Sequence, residues 1–228
     1  MLQVKVKTDW LLSALSPFST SRKMLPQLIV HENTVSVQHF YDSFVGMRSI
    51  SKHLPSADNM SFELSETVQR FLQCCSSFND VCFELDGSKL TITIQSSCSA
   101  LQYKVPYVKL TEKLDMSNNS DQAIEVMIPS QEWLNIWKTI PVKGAMTIEC
   151  TARKQAITMK HSKGRWCGGV HAQAAPSRSV SFECDSRVAK AVFAECATSA
   201  TFSSLIFTSN ILCWKVEDVT VFLAPRVE

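Results

Sequence analysis

One stretch of the chain decides the fold: NMSFELSETVQRFLQCCSSFNDVCFELDGSKLTITI, residues 59–94. Ser65 is a typical helix N-cap and precedes the amphipathic run ETVQRFLQCC. Two alternating apolar runs follow, VCFEL and LTITI, and the Asp86-Gly87 dipeptide between them favours a tight hairpin because a primed turn needs a positive φ. The stretch therefore predicts a strand, a helix and a strand pair, which is a βαββ unit.

The same pattern occurs four times along the chain. A capping residue precedes each of four short helix candidates: Asp9 before WLLSAL, Ser65 before ETVQRFLQCC, Ser130 before QEWLNIW and Asp185 before SRVAKAVFAEC. A pair of strand-like runs follows each helix: QLIVH and VSVQHF, VCFEL and LTITI, MTIEC and AITMK, SLIFT and ILCWKV. The spacing of the four units repeats between the two halves of the chain, so the sequence predicts an α+β fold of two similar domains with two βαββ units each.

The interval TEKLDMSNNSDQ, residues 111–122, separates the two halves. It is polar and has no sustained hydrophobic period, which is typical of an exposed linker. The predicted organisation is an N-terminal domain at 1–110, a connecting loop at 111–122 and a C-terminal domain at 123–228. Leu114 and Met116 are the apolar residues of this linker, and they either pack locally or are offered to a partner.

Composition excludes several classes of protein. The chain has 228 residues, 45% of them hydrophobic, and a formal charge of +2, so it can bury a large core but cannot bind nucleic acid by net charge alone. No apolar run is long enough to span a membrane, and the opening MLQVKVKTDW resembles a first strand more than a targeting signal. Nine scattered cysteines without metal-ligand spacing indicate reduced, buried thiols.

Motifs for catalysis are missing from the sequence. GxSxG, HExxH and the phosphate-binding GxxxxGK[ST] do not occur, and the five histidines share no metal-ligand spacing. Trp133 and Trp137 lie four residues apart on one helix candidate, which favours a core stripe over a stacking platform. We therefore expect no enzyme activity, no cofactor and no metal; an enzyme with a thiol active site is the alternative from this class.

The C-terminal segment VFLAPRVE, residues 221–228, resembles the YYLAPKIE ending of eukaryotic PCNA. MIPSQEW at 127–133 is similar to that family's KMPSGEF, and NMSFELSETVQRFLQC matches its MGVNLTSMSKILKC in pattern. The segment LDM at 114–116 looks like the interdomain connecting loop, and QHFYDSFV at 38–45 lies where the family has a loop after a strand. On these segments the chain resembles the PCNA family of DNA sliding clamps.

The resemblance implies a DNA clamp fold, with helices inside and sheets outside a ring of three chains. It implies a processivity factor for a DNA polymerase that also docks replication and repair proteins. Such a ring encircles double-stranded DNA without sequence preference, is placed there by a clamp loader, and works in the nucleus or at a site of viral DNA replication. The alternatives are a subunit of a heterotrimeric checkpoint-type clamp and a monomeric viral-type processivity subunit.

The resemblance also implies site residues. The inner helices would present four basic residues to DNA: Arg70, Lys138, Arg187 and Lys190. A partner peptide would bind a patch from the loop, the linker and the tail: Phe40, Phe44, Val45, Leu114, Met116, Phe222, Ala224, Pro225, Arg226 and Val227. Subunits would pair through strand edges near 101–110 and 165–173, where Pro106 removes one hydrogen-bond donor.

Overall fold

The structure is a computed structural model, and it describes residues 1–15, 25–41, 46–73, 80–95, 100–106, 123–152, 154–164, 166–194, 196–208 and 210–226. Contacts divide the chain into two compact units. The first unit comprises Met1–His39 and Ser49–Asp115, and the second comprises Phe40–Arg48 and Met116–Glu228.

The first half of the chain contains eight strands and two helices. In chain order they are β1 (Leu2–Lys7), α1 (Thr8–Leu15), β2 (Gln27–His31), β3 (Thr34–Tyr41), β4 (Gly46–His53), β5 (Met60–Glu63), α2 (Glu66–Gln73), β6 (Asp80–Asp86), β7 (Lys89–Gln95) and β8 (Ala100–Pro106). The strand orders are β1-β6-β7-β8 and β5-β2-β3-β4.

The second half repeats this arrangement. Its elements are β9 (Ile124–Pro129), α3 (Ser130–Thr139), β10 (Ala145–Cys150), β11 (Ile157–His161), β12 (Cys167–Val170), β13 (Val180–Asp185), α4 (Ser186–Ala194), β14 (Phe202–Phe207), β15 (Leu212–Val216) and β16 (Val219–Leu223). The strand orders are β12-β11-β10-β13 and β16-β15-β14-β9.

The predicted fourfold repeat is confirmed, and each repeat carries one strand more than expected. After every predicted hairpin a further strand follows, namely β4, β8, β12 and β16. Within each half the repeats exchange their first strands: β1 pairs with β6 and β5 with β2, while β9 pairs with β14 and β13 with β10. This exchange joins each pair of repeats into one α+β domain.

The four predicted hairpins are all present as antiparallel pairs. The turn after β6 has Gly87 at φ 58°, the positive value expected from its Asp-Gly sequence. Glu32 and Asn33 form the turn between β2 and β3 with φ 48° and 62°, although only Asn33 is a residue that favours this region.

Two of the four predicted helix caps are confirmed. The Ser65 hydroxyl accepts from Val68 N at 3.3 Å, and the Asp185 carboxylate accepts from Arg187 N at 2.7 Å. The other two are wrong. Asp9 lies inside the first turn of α1. Ser130 is the first residue of α3, after Pro129 at the N-cap, and its buried hydroxyl makes no hydrogen bond.

Each domain has its own core. In the first unit α1 and α2 bury Leu11 and Leu72 against strands of both sheets, and Phe62 and Phe83 lie 5.3 Å apart there. In the second unit the core is an aromatic cluster: Trp133, Trp137, Phe193 and Trp214. Both predicted core tryptophans, Trp133 and Trp137, are 0% exposed, which confirms the core stripe. Among the described residues no helix is long and apolar enough to cross a bilayer.

Candidate functional site

The basic residues predicted to contact DNA lie on three of the four helices. Arg70 on α2, Lys138 on α3 and Arg187 on α4 are exposed, and Lys190 on α4 is half-buried. On α2 the Arg70 guanidinium lies 3.7 Å from the Glu66 carboxylate one turn earlier, so its charge is partly neutralised.

Helix α3 carries a polar stripe on its exposed face. The Gln131 side-chain amide donates to Asn135 Oδ1 at 3.1 Å, and Lys138 Nζ donates to the same oxygen at 3.1 Å. Sequence reasoning singled out only Lys138. The i, i+4, i+7 spacing of these three residues is the signal that would have found the others, because it places them on one helical face.

Lys190 connects the two helices of the second unit. Its ammonium donates to Lys138 O at 3.1 Å and to Ile140 O at 2.8 Å, two carbonyls at the C-terminal end of α3. The last carbonyls of a helix have no partner within the helix and carry its negative dipole, so a cation there is stabilising. Lys190 thus holds the end of α3, a role that sequence reasoning missed.

Strand β12 is an open edge of its sheet among the described strands, and its outward groups can be identified. Lys160 and Cys167 are directly opposite in the ladder, and the adjacent His161 N donates to Trp166 O at 3.1 Å. The ladder bonds therefore flank the Lys160–Cys167 pair, and the backbone N–H and C=O of Cys167 point away from β11. By alternation Gly169 points the same way, so β12 offers two unpaired donor–acceptor positions.

Strand β8 is the corresponding open edge in the first unit among the strands that the structure describes. Asp86 and Lys89 close a two-residue turn, so the backbone groups of Lys89 are directed toward β6. Pro106 lies opposite Lys89, which places its ring nitrogen on the open side of β8. By alternation, the backbone N–H and C=O groups of Gln102 and Lys104 also point to the open side of β8. The missing donor of Pro106 therefore leaves the β7 ladder intact, as expected for a proline on an edge strand.

Five of the predicted peptide-contact residues are described, and they have different environments. Phe40 is 1% exposed and lies in the packed interior, whereas Phe222 and Ala224 are half-buried and Pro225 and Arg226 are exposed. Arg226 N donates to Glu183 O at 2.9 Å, and its guanidinium lies 3.8 Å from the Glu183 carboxylate. The tail is thereby held along β13. The other five predicted contacts lie outside the described residues: Phe44, Val45, Leu114, Met116 and Val227.

The thiols of the described residues are mostly buried. Burial raises the pKa of Cys184 and of Cys213 to about 12, and it also raises the pKa of Cys82 and Cys150. Cys167 is exposed on the open edge of β12. Within the described part of the chain no three histidine, cysteine or acidic side chains are grouped so that they could hold a metal ion.

Solved structures with a similar fold include two that match the chain over its full length. The β subunit of DNA polymerase III from Thermotoga maritima has a TM-score of 0.72 and 12% identity, and the chain spans 66% of that protein's length. The PCNA2–PCNA3 complex from Sulfolobus tokodaii has a TM-score of 0.63 and 11% identity, with both chains covered completely. The chain has a sliding-clamp fold. No protein-family model matches it, and no curated protein matches its sequence.

The α+β clamp fold predicted from the sequence is thus confirmed. The similarity to the Sulfolobus tokodaii structure covers all of both chains, so the two-domain length of the present chain is also found in a clamp subunit. The Thermotoga maritima protein is about half as long again.

Proposed function

We propose that this protein is a DNA sliding clamp, a ring that holds a DNA polymerase on its template and docks other replication and repair proteins. In this proposal it acts without catalysis or cofactor, in the nucleus or at a site of viral DNA replication. The observation that carries the proposal is that two of the sheet edges, β8 and β12, are open among the described strands of a chain with a sliding-clamp fold. Each edge presents unpaired backbone groups, and such edges are satisfied by strand pairing with another chain.

The proposed assembly is a ring of three identical chains. One open edge on each unit permits head-to-tail contacts, which close into a ring when the rotation between subunits allows it. Accessible apolar side chains lie at both edges that would form the proposed subunit contact: Leu101 on β8 is 45% exposed, and Trp166 before β12 is half-buried. Duplex DNA, a polymerase peptide and a clamp loader are the partners that this ring would need.

A heteromeric ring is the second candidate, and one observation favours it. Lys104 on β8 and Lys163 before β12 are both exposed, and neither strand carries an acidic residue. Like charges at a contact between β8 and β12 of identical chains are unfavourable, whereas a different subunit could supply carboxylates. The PCNA2–PCNA3 structure is a complex of two different clamp subunits.

The peptide-docking surface is proposed on the second unit, at Phe222, Ala224 and Pro225. These apolar residues are accessible near the tail, which Arg226 holds along β13. An aromatic anchor from a partner needs such an apolar surface more than it needs charge. If the linker completes this surface, Leu114→Ala with Met116→Ala should weaken the binding of a polymerase-derived peptide by about 1–2 kcal/mol. Titration calorimetry measures this loss, and an unchanged affinity would assign both residues to packing.

Topological retention on DNA tests the ring without a loader. The chain is incubated with a linear duplex fixed to a bead at one end, and a biotinylated free end is then blocked with streptavidin before a high-salt wash. A ring that has threaded onto the duplex stays until a restriction enzyme cuts the DNA. Because charge-mediated binding is lost at high salt, protein that remains after the wash is held by encircling the DNA. Absence of retention, or retention that cutting does not release, would contradict the proposed function.

A further inference from the structure

His161 is a buried histidine that the proposed clamp function does not use. It is the last residue of β11 and is only 4% exposed. His39 is also buried, but its Nε2 lies 3.0 Å from the Ala14 carbonyl oxygen, an acceptor that suits a protonated ring as well as a neutral one. The other three histidines are exposed: His31, His53 and His171.

Both ring nitrogens of His161 lie in surroundings that suit the neutral form. Nδ1 accepts from Lys163 N at 3.3 Å, so the single ring proton lies on Nε2. Nε2 is packed against the backbone of Gly144, where an added Cβ would lie 2.6 Å from it, and it has no hydrogen-bond partner among the described residues. A second proton would therefore set two N–H groups against each other at Nδ1 and bury a charge without an acceptor.

The elements around this ring do not compensate such a charge. They carry five titratable groups: Lys143, Lys163, Cys184, Asp185 and Arg187. The Asp185 carboxylate accepts from two N–H groups in the first turn of α4, at 2.7 and 3.3 Å, and is stabilised there. Cys184 stays protonated, since burial raises its pKa to about 12. The three cations oppose a further positive charge near them.

The same residue holds the turn that leads into the edge strand β12. Besides the contact at Nδ1, Gly164 N donates to His161 O at 2.8 Å, and His161 N donates to Trp166 O at 3.1 Å. Strand β12 itself has only four residues, so its position depends strongly on this turn. Loss of the Nδ1 contact would therefore loosen the start of an open sheet edge.

We propose that His161 is a proton-operated latch on the edge strand β12: when its ring takes up a proton, the turn between β11 and β12 opens. Histidine is the side chain that ordinarily changes charge between pH 5 and 8, which makes it suited to this role. In the ring of the proposed function β12 meets the next chain, so the latch would weaken that contact in acid. This consequence rests on the proposed function, whereas the latch itself does not.

Hydrogen exchange of the full chain tests the latch at pH 7.5 and 5.5. It is read by mass spectrometry in peptides that cover β11 to β12, and it is corrected for the intrinsic exchange rate. A histidine in water takes up its proton near pH 6.5, and the open turn would bind one proton more than the closed turn. Opening should therefore become about tenfold more frequent at pH 5.5.

Two variants assign this increase to one ring. His161→Asn carries a neutral amide that does not titrate, so the increase between pH 7.5 and 5.5 should be abolished. His171→Asn is the matched control, because it removes an exposed histidine directly after β12 and leaves the latch intact. This control should keep the tenfold increase.

Three results would overturn the latch. They are wild-type exchange that does not change with pH, an increase that persists in His161→Asn, and an NMR titration in which the His161 ring gains its proton while the turn stays protected. The NMR titration uses the wild-type chain and keeps the test decisive if His161→Asn does not fold. Failure of the clamp function would instead be seen by light scattering, as a chain that never assembles at pH 7.5.

Discussion

Proline at position 104 should weaken assembly while leaving the domain folded. The N–H of Lys104 points to the open side of β8, so Lys104→Pro removes one donor from the proposed subunit contact and none from the β7 ladder. One hydrogen bond contributes about 1 kcal/mol, and a closed ring of three chains would lose three of them, or about 3 kcal/mol. This corresponds to a factor of about 150 in the trimerisation constant.

The measurable shift follows from the stoichiometry. Because the concentration at half-assembly varies as the inverse square root of the trimerisation constant, it should rise about 12-fold. Light scattering over a dilution series measures this midpoint. Lys104→Ala is the matched control, since it removes the same charge but keeps the N–H, and its midpoint should not rise.

Two results would refute the reasoning. The first is a proline variant that assembles like the alanine variant while its circular dichroism shows the native fold. The second is a proline variant that unfolds, because this would mean that the backbone of position 104 belongs to the β7 ladder. Gln102→Pro tests the same side of the strand and should behave in the same way.

Three further predictions concern stability. Asp185→Ala should lower the free energy of unfolding by about 1 kcal/mol because it removes a helix cap. Ser130→Ala should leave this free energy almost unchanged because the buried Ser130 hydroxyl has no hydrogen-bond partner. Urea titration compares the two variants. Lys190→Ala should lower the free energy of unfolding by about 2 kcal/mol, since two charge-assisted hydrogen bonds to carbonyls are lost. A urea midpoint equal to that of the wild type would argue against the role of Lys190 at the end of α3. Burial raises the pKa of Cys184 and of Cys213 to about 12, so the folded state keeps both thiols protonated in a range where the unfolded chain loses these protons. The free energy of unfolding should therefore fall as pH rises from about 9 toward 12. A pH series should show a smaller fall in Cys184→Ala with Cys213→Ala.

The sequence predicted the repeat because the repeat depends on local signals. Hairpin turns, apolar alternation and the Ser65 and Asp185 caps act over a few residues, and all of them appear where they were expected. The local pattern did not predict the fourth strand of each repeat, and only the resemblance implied strand edges near 101–110 and 165–173, where β8 and β12 lie. Strand β12 has the sequence CGGV, which has no alternation of its own and is a strand only because it pairs with β11.

The site was less predictable than the fold. Basic residues on helices could be named, but the sequence could not show that Lys190 is bound by carbonyls of another helix, because that contact joins residues about fifty positions apart. The burial of Phe40 was equally hidden, since an aromatic residue near a loop is compatible with either a surface or a core position. Such distinctions depend on tertiary packing, which has no local signature.

A disulfide between the two open edges tests the central claim, that β8 of one chain pairs with β12 of the next. Cys167 is already exposed on β12, and Gln102→Cys places a second thiol on β8. On mild oxidation the account predicts covalent dimers and trimers on a non-reducing gel, up to about 76 kDa for three chains of 25.5 kDa each. These species should disappear when Cys167 is changed to serine. A Gln102→Cys chain that cross-links equally well without Cys167, or a failure to cross-link in both Gln102→Cys and Lys104→Cys, which occupy successive outward positions of β8, would contradict the account.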